Sequence, residues 1–159
     1  MSLPYENATS GNRALDDIQK ILTGFGASRF GTMTDNEKKE VLVQFSYRGR
    51  DISVKASVTG YAEAWLREHP FNARSRGSKV DYERKALQQA QVSVCSILRD
   101  WVKGQITAIE VGLLSFEGAF LGQILLQNGK TVLDTVESQK MLPPAEAEGR
   151  PHLALQRSK

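Results

Sequence analysis

The chain has 159 residues, of which 40% are hydrophobic and 25% charged, and its 21 basic and 18 acidic residues leave a formal net charge of +3. This length and composition are typical of one globular domain that buries its own hydrophobic core. No apolar run approaches the ~20 residues that span a bilayer, no secretory signal pattern begins the chain, and the single cysteine excludes an internal disulfide. We therefore expect a cytoplasmic protein without a membrane partner.

The N-terminal part predicts a flexible arm followed by a short amphipathic helix. Residues 1–11 are polar and without periodicity, which is typical of a loose terminus. Asn12 is then the expected N-cap, and Gly24 and Gly26 are the expected end of the helix. The apolar positions that recur at helical spacing between them are Leu15, Ile18, Ile21 and Leu22.

A three-stranded antiparallel meander is predicted next, from residues 28–33 and a hairpin within residues 40–59. Side chains of a strand point alternately to opposite faces, so the alternation of apolar and polar residues indicates one buried face and one wet face. The turn lies at Arg48, Gly49 and Arg50. The expected buried face comprises Val41, Val43, Phe45, Tyr47, Ile52, Val54, Ala56 and Val58. The expected wet face comprises Gln44, Ser46, Ser53, Lys55 and Ser57.

A long helix is predicted from Asp81 to Val111, preceded by a short helix at residues 61–67 that Pro70 ends. Its apolar stripe supplies the cover that the buried sheet face requires. Gly104 is a weak point, so the exact end of the helix stays open. Thirty residues would run ~45 Å, which exceeds what one small sheet covers, so we expect part of the helix to pack on another copy of the chain.

The C-terminal part predicts a small cap. Ser115 is the expected N-cap of a short turn, residues 124–126 are typical of a short strand, and Asn128-Gly129 is a turn signal. Thr131 and Asp134 have the spacing of a capping box for a last helix that ends near Ser138. The whole is an α+β fold: an N-terminal helix, a three-stranded antiparallel meander packed by a long helix, and a small C-terminal cap. One domain spans residues 12–141, with flexible termini at 1–11 and 142–159.

Residues for catalysis or metal binding are scarce. His69 and His152 lie in a loop and in the tail, and one cysteine with two scattered histidines cannot form a zinc site. Cys95 lies on the apolar stripe of the long helix and is expected to be a buried structural thiol. The Gly24-Phe25-Gly26 run follows a helix, so it indicates a C-cap rather than a phosphate loop. We expect a non-enzymatic protein without cofactor or metal.

Basic residues concentrate in two places. The window from Arg67 to Lys85 has six basic and three acidic residues, and the turn at Arg48 and Arg50 holds two guanidinium groups. Arginine matches phosphate geometry, so either place suits an anionic partner; a solvated loop and a soluble turn are the alternatives. Trp65 and Phe71 flank the basic window and suit base stacking. The candidate ligand-binding residues are Arg48, Arg50, Trp65, Arg67, Phe71, Arg74, Arg76 and Lys79.

A resemblance to other proteins rests on three segments, at residues 45–50, 112–121 and 126–132. They read Phe-Ser-Tyr-Arg-Gly-Arg, Gly-Leu-Leu-Ser-Phe-Glu-Gly-Ala-Phe-Leu and Leu-Gln-Asn-Gly-Lys-Thr-Val. Their order resembles that in a group of small uncharacterised proteins encoded by tailed bacteriophages, although Gly118 replaces an acidic residue of that group and Asn128 a more usual Asp. The resemblance implies a phage or prophage origin and names no activity.

These observations favour a phage accessory protein that binds single-stranded nucleic acid in the host cytoplasm. The basic residues would contact phosphates, and Trp65 or Phe71 would stack on bases. An alternative is a counter-defence protein that sequesters a phosphorylated nucleotide signal, or blocks a host effector protein, with the same arginines in a pocket between protomers. A third is a purely structural homo-oligomer.

Overall fold

The order of helices and strands confirms the α+β fold expected from the sequence. The computed structural model describes residues 2–146 of the chain, so the tail predicted to be flexible lies mostly outside the described residues. The elements are α1 (Gly11–Phe25), β1 (Arg29–Asp35), β2 (Glu40–Tyr47), β3 (Arg50–Ser57), α2 (Val58–Glu68), α3 (Lys79–Glu110), α4 (Phe116–Phe120), a 3₁₀ turn (Leu121–Gln123) and α5 (Val132–Ser138).

The first helix begins two residues earlier than the sequence indicated. Its N-cap is Ser10 and not Asn12, because the hydroxyl oxygen of Ser10 accepts a 3.2 Å hydrogen bond from the backbone N–H of Arg13. Gly26 ends the helix with φ 111°, in the left-handed region that glycine adopts without strain. The predicted C-cap at Gly26 is therefore confirmed, whereas Gly24 lies inside the helix.

The three strands form one antiparallel sheet in the order β1-β2-β3. The register pairs Phe30 with Phe45 and Phe45 with Ile52, so these side chains share the face that packs on the helices. The apolar positions of β2 and β3 on that face are buried or partly buried, as the alternation predicted. Val58 is buried as well, but it starts α2 instead of continuing β3.

The centre of the opposite face of the sheet is less exposed to solvent than the alternation predicted. Ser46 and Ser53 are only 6% and 4% exposed, because longer neighbouring side chains cover these two small ones. The hydroxyl of Ser46 donates to the carboxylate of Asp51 and accepts from Nε of Arg29 at 3.2 Å. Gln44 donates to the hydroxyl of Ser53 at 3.3 Å, so both buried serines have hydrogen-bond partners.

Helix α3 runs unbroken through Gly104 and is covered within one chain. Its 32 residues pack against the sheet, α1 and α2. These contacts within one chain account for the length of α3. The helix therefore offers no separate argument for self-association. The buried side chains of the stripe are Ala86, Ala90, Ser93, Val94, Cys95, Ser96, Leu98, Val102 and Ile106.

The described N-terminal residues lie against α2 and α3, which their polar composition did not indicate. The backbone carbonyl of Tyr5 accepts a 2.8 Å hydrogen bond from the hydroxyl of Ser93, and the phenol of Tyr5 donates to Asp100 at 2.7 Å. The phenol of Tyr61, on α2, donates to the backbone carbonyl of Pro4 at 2.7 Å. These bonds connect the segment before α1 to the helical layer.

The C-terminal cap follows the predicted signals except for its strand. Thr131 and Asp134 form the predicted capping box of α5, with hydrogen bonds of 3.1 Å in both directions. Residues 124–126 form only single bridges, between Ile124 and Ile52 and between Leu125 and Thr131. The apolar run is too short for a full strand and covers one end of the β3 edge.

Candidate nucleic-acid interface

The predicted ligand-binding residues fall into two groups at opposite ends of α3. Arg48 and Arg50, at the tip of the β2-β3 hairpin, lie beside Ile109 and Glu117, near the C-terminal end of α3. The basic residues Arg74 and Arg76 lie in the loop of residues 70–78, which leads into the N-terminal end of α3 and which we call the basic loop. A helix of 32 residues is about 48 Å long. The structure therefore does not bring the hairpin tip and the basic loop into one site.

The hairpin tip is a tight two-residue turn that requires unusual backbone conformations at both central residues. Arg48 has φ 47° and Gly49 has φ 77°, the combination of a type I′ turn. The guanidinium carbon of Arg48 lies 5.2 Å from the centre of the Tyr47 ring, a cation–π geometry. Tyr47 in turn stacks on Phe25 at 4.5 Å. This tip is thus fixed by aromatic packing.

Arg50 of the hairpin tip is neutralised within the chain. Its Nη1 contacts Oε1 of Glu117, the second residue of α4. A hydrogen bond from the backbone N–H of Glu117 itself, followed by the hydrogen bond from Arg50, lowers the pKa of the Glu117 carboxyl below its ordinary value. A guanidinium that is engaged by a carboxylate suits a structural role better than a phosphate contact, so we assign Arg50 to the attachment of α4.

The basic loop presents cations of a different kind. Four exposed basic residues lie in this loop or at its two ends, namely Arg67, Arg74, Arg76 and Lys79. None of them has a carboxylate within 4 Å in the described part of the chain. The acidic residue Asp81 is engaged by Arg84 at 2.6 Å, one helical turn further along α3. Charges that lack an internal partner remain available to an anionic ligand.

An aromatic cluster adjoins these cations. We use this name for the rings of Trp65, His69, Phe71 and Tyr82. The ring centres of Trp65 and His69 lie 4.7 Å apart, those of Trp65 and Tyr82 5.5 Å, and those of Phe71 and Tyr82 5.4 Å. Phe71 is 38% exposed, so one ring of the cluster is open to solvent. The two aromatic residues predicted from the sequence, Trp65 and Phe71, do lie beside the basic loop.

The loop between α2 and α3 has a defined conformation. The side-chain carbonyl of Asn72 accepts a 2.8 Å hydrogen bond from the backbone N–H of Arg74, and the N–H of Asn72 donates to the hydroxyl of Ser75 at 3.0 Å. Gly77 has φ 79°, which turns the chain into α3, and Ser78 caps that helix. Ordering the loop beforehand lowers the entropy that a ligand would otherwise have to offset.

His69 and Glu6 belong to this region and were missed by sequence reasoning. Nε2 of His69 lies 3.0 Å from Oε2 of Glu6. The hydrogen bond from His69, followed by one from the backbone N–H of Leu3, lowers the pKa of the Glu6 carboxyl. The spacing of Trp65 and His69, four residues apart at the end of a helix, was a local signal that places both rings on one face. No local signal relates Glu6 to His69, 63 residues away.

Other chemistry-bearing places in residues 2–146 combine fewer free cations with an exposed ring than the basic loop does. A cavity of about 620 Å³ beneath the N-terminal segment is lined by Arg13 and Arg99, among others, but Arg99 is paired with Asp17 at 4.0 Å and Asp100 at 3.0 Å. Cys95 is buried, as predicted, and desolvation raises the pKa of its thiol. Within those residues no cluster of three or more His, Cys, Asp or Glu is placed to hold a metal.

Comparison with known proteins adds no relative. No protein family, no curated protein and no solved structure matches the chain. Among the described residues, none of the helices has both the length and the apolar character needed to cross a bilayer.

Proposed function

We propose that this chain is a non-enzymatic phage accessory protein that binds single-stranded nucleic acid at the basic loop and aromatic cluster. The observation that carries the proposal is that the exposed Phe71, Arg74 and Arg76 share one loop, which leads directly into the exposed Lys79. The described residues provide no carboxylate within 4 Å of these three cations. Such a surface offers a ring for a base and cations for the phosphates on either side of it. The resemblance to phage-encoded proteins sets this function in an infected host cell.

The expected energetics are those of sequence-tolerant single-strand binding. Stacking of one base on an aromatic side chain contributes roughly 1–3 kcal/mol, and each neutralised phosphate adds a salt-dependent contribution. A base would stack on Phe71, whose ring packs edge-on against Tyr82, and Tyr82 in turn packs against Trp65. The hairpin tip takes no part in this site, because it lies at the other end of α3, where Arg48 packs on Tyr47 and Arg50 is engaged by Glu117.

The test is the affinity of the purified chain for a fluorescently labelled, unstructured single-stranded oligonucleotide, followed by anisotropy at increasing salt. We expect the logarithm of the association constant to fall linearly with the logarithm of salt concentration. The triple variant Arg74→Ser, Arg76→Ser, Lys79→Ser is expected to reduce the magnitude of that slope by about 2, since each phosphate contact to a single strand contributes roughly 0.7. Phe71→Ala is expected to weaken binding with an unchanged slope.

The matched control removes three exposed cations elsewhere on the surface, by Lys20→Ser, Lys38→Ser and Lys103→Ser. It changes the net charge by the same amount. An equal loss of affinity in both triple variants would show that binding depends on net charge alone, and would contradict the proposed site. Affinity that does not change with salt would contradict nucleic-acid binding altogether. Heat released with a cyclic or ADP-ribose-type nucleotide, without oligonucleotide binding, would favour the sequestering alternative.

A further inference from the structure

Strand β1 is a long sheet edge that lacks a neighbour in the described part of the chain. It pairs with β2 over its seven residues, from Arg29 to Asp35, and its other edge meets no strand or bridge of residues 2–146. The edge carries neither a proline nor a bulge, the usual devices that prevent edge-to-edge pairing. The other outer edge of the sheet differs, since the bridge to Ile124 covers part of β3.

The hydrogen bonds of the sheet determine which groups of β1 point outward. The carbonyl of Asp51 accepts from Leu125 and so faces away from β2, whereas the carbonyl of Ser46 accepts from Ser28 and faces β1. Because backbone groups alternate along antiparallel strands, the odd-numbered residues of β1 bond to β2. The N–H and C=O groups that point to the open side are those of Phe30, Thr32 and Thr34.

The sequence of β1 is complementary to itself in an antiparallel arrangement. If Thr32 lies opposite Thr32 of a second copy, the three outward-pointing residues fall opposite one another as reciprocal hydrogen-bonded pairs. Arg29 then lies opposite Asp35 of the second copy, and Asp35 opposite its Arg29, at non-hydrogen-bonded positions where side chains approach most closely. Met33 lies opposite Gly31, which leaves room for its side chain.

The side chains of β1 have the exposure and the unused atoms that this pairing requires. Met33 is 57% exposed, and Thr32 and Thr34 are exposed although they lie on the sheet face that the helices cover elsewhere. Arg29 uses Nε for Ser46 and one terminal nitrogen for Asp51. Asp35 uses Oδ1 for the backbone N–H groups of the following turn. The second terminal nitrogen of Arg29 and Oδ2 of Asp35 are left for the ion pairs.

We propose that β1 pairs with β1 of a second copy of this chain across a two-fold axis at Thr32, to form a six-stranded sheet. The occupant of the edge is a second copy because the charges, the small residue opposite Met33 and the outward hydrogen-bonding groups are self-complementary in one register. This surface is separate from the basic loop, so the inference does not depend on the proposed function.

The first test is the molecular mass of the full chain by analytical ultracentrifugation over a wide dilution series. We expect a dimer, at twice the chain mass of 17.6 kDa. Thr32→Pro removes the two N–H donors at the axis without removing a bond to β2, and proline is tolerated at such an edge position. We expect it to raise the dissociation constant at least about tenfold. Thr32→Val keeps the N–H and the branched shape and is expected to leave the dimer intact.

The second test uses charge reversal and holds even if Thr32→Pro fails to fold. Arg29→Glu and Asp35→Lys each place like charges opposite one another in their own dimer, so each variant alone is expected to dimerise more weakly. In a mixture of the two variants, opposite charges again face each other at both ends of the paired strands, so a heterodimer is expected to form. A monomeric natural chain at every concentration, a Thr32→Pro variant that folds and dimerises normally, or a mixture no tighter than either variant would each overturn the proposal.

Discussion

The phenolic hydroxyl of Tyr82, in the first turns of α3, donates a 2.6 Å hydrogen bond to the backbone carbonyl of His69, the residue that ends α2. This bond closes the loop of residues 70–78 at its base. The ring of Tyr82 lies between those of Trp65 and Phe71. One side chain therefore connects the end of one helix, the start of the next and the exposed ring of the proposed interface.

Replacement of Tyr82 by phenylalanine is expected to affect both stability and binding. Loss of one hydrogen bond of this kind lowers the free energy of unfolding by about 1 kcal/mol. Because the loop is then less ordered, we expect severalfold weaker binding of a single-stranded oligonucleotide, measured by anisotropy. Tyr5→Phe is the control, since its hydroxyl bonds Asp100 away from the loop; equal loss of binding in both variants would contradict the role given to Tyr82.

Phe120 is expected to be among the most sensitive positions of the core. It is fully buried, and its ring meets Phe45 edge-on at 5.4 Å and Trp101 at 5.7 Å. Phe120→Ala leaves a cavity between the sheet, α3 and the C-terminal cap, with an expected loss of roughly 3–5 kcal/mol in urea unfolding. Its neighbour Leu121 is 53% exposed, so Leu121→Ala is expected to change stability by less than about 0.5 kcal/mol. A similar loss in the two variants would contradict this packing.

Two glycines are expected to respond to alanine in opposite directions. Gly104 lies inside α3 with open space where a Cβ would stand, so Gly104→Ala is expected to raise stability by roughly 0.5–1 kcal/mol. Gly49 has φ 77° at the hairpin turn, where a Cβ is strained, so Gly49→Ala is expected to lower stability by about 1 kcal/mol. Thermal unfolding of both variants distinguishes them. A destabilising Gly104→Ala would indicate that α3 is broken at this residue.

Stability is expected to fall on acidification, with a contribution from the capping box of α5. Hydrogen bonds from the backbone N–H and then from the hydroxyl of Thr131 lower the pKa of Asp134. A carboxyl whose pKa is lowered by folding stabilises the protein above its unfolded pKa of about 4, and that contribution is lost as pH falls through the folded value. Asp134→Asn is therefore expected to lower the melting temperature at neutral pH and to flatten its fall in acid.

The control for this pH dependence is Asp16→Asn. Asp16 is exposed on α1, and its carboxylate makes no hydrogen bond or ion pair within residues 2–146. We expect the melting temperature of the Asp16→Asn variant to follow that of the natural chain across the acid range. Identical profiles for Asp134→Asn and the natural chain would show that the capping box does not carry the acid dependence.

Sequence reasoning was most successful where the physical cause is local. The alternation along β2 and β3, the φ requirement at Gly49, the capping box of Thr131 and Asp134 and the stripe of α3 each depend on residues within a few positions of one another. Cys95 was expected to be buried because it lies on that stripe, and it is. The starts of α1 and α3 were each placed two residues too late, since several polar residues compete to cap a helix.

Only tertiary packing decided which of the predicted residues belong together in one site. The sequence determined the meander, the long helix and two groups of arginines, because periodicity and charge are written residue by residue. It did not determine that these groups lie at opposite ends of α3, that Glu117 engages Arg50 from 67 residues away, or that Glu6 reaches His69. Such pairs form because elements distant in the chain are packed together to bury a common core, and no local pattern records which surfaces that packing brings into contact.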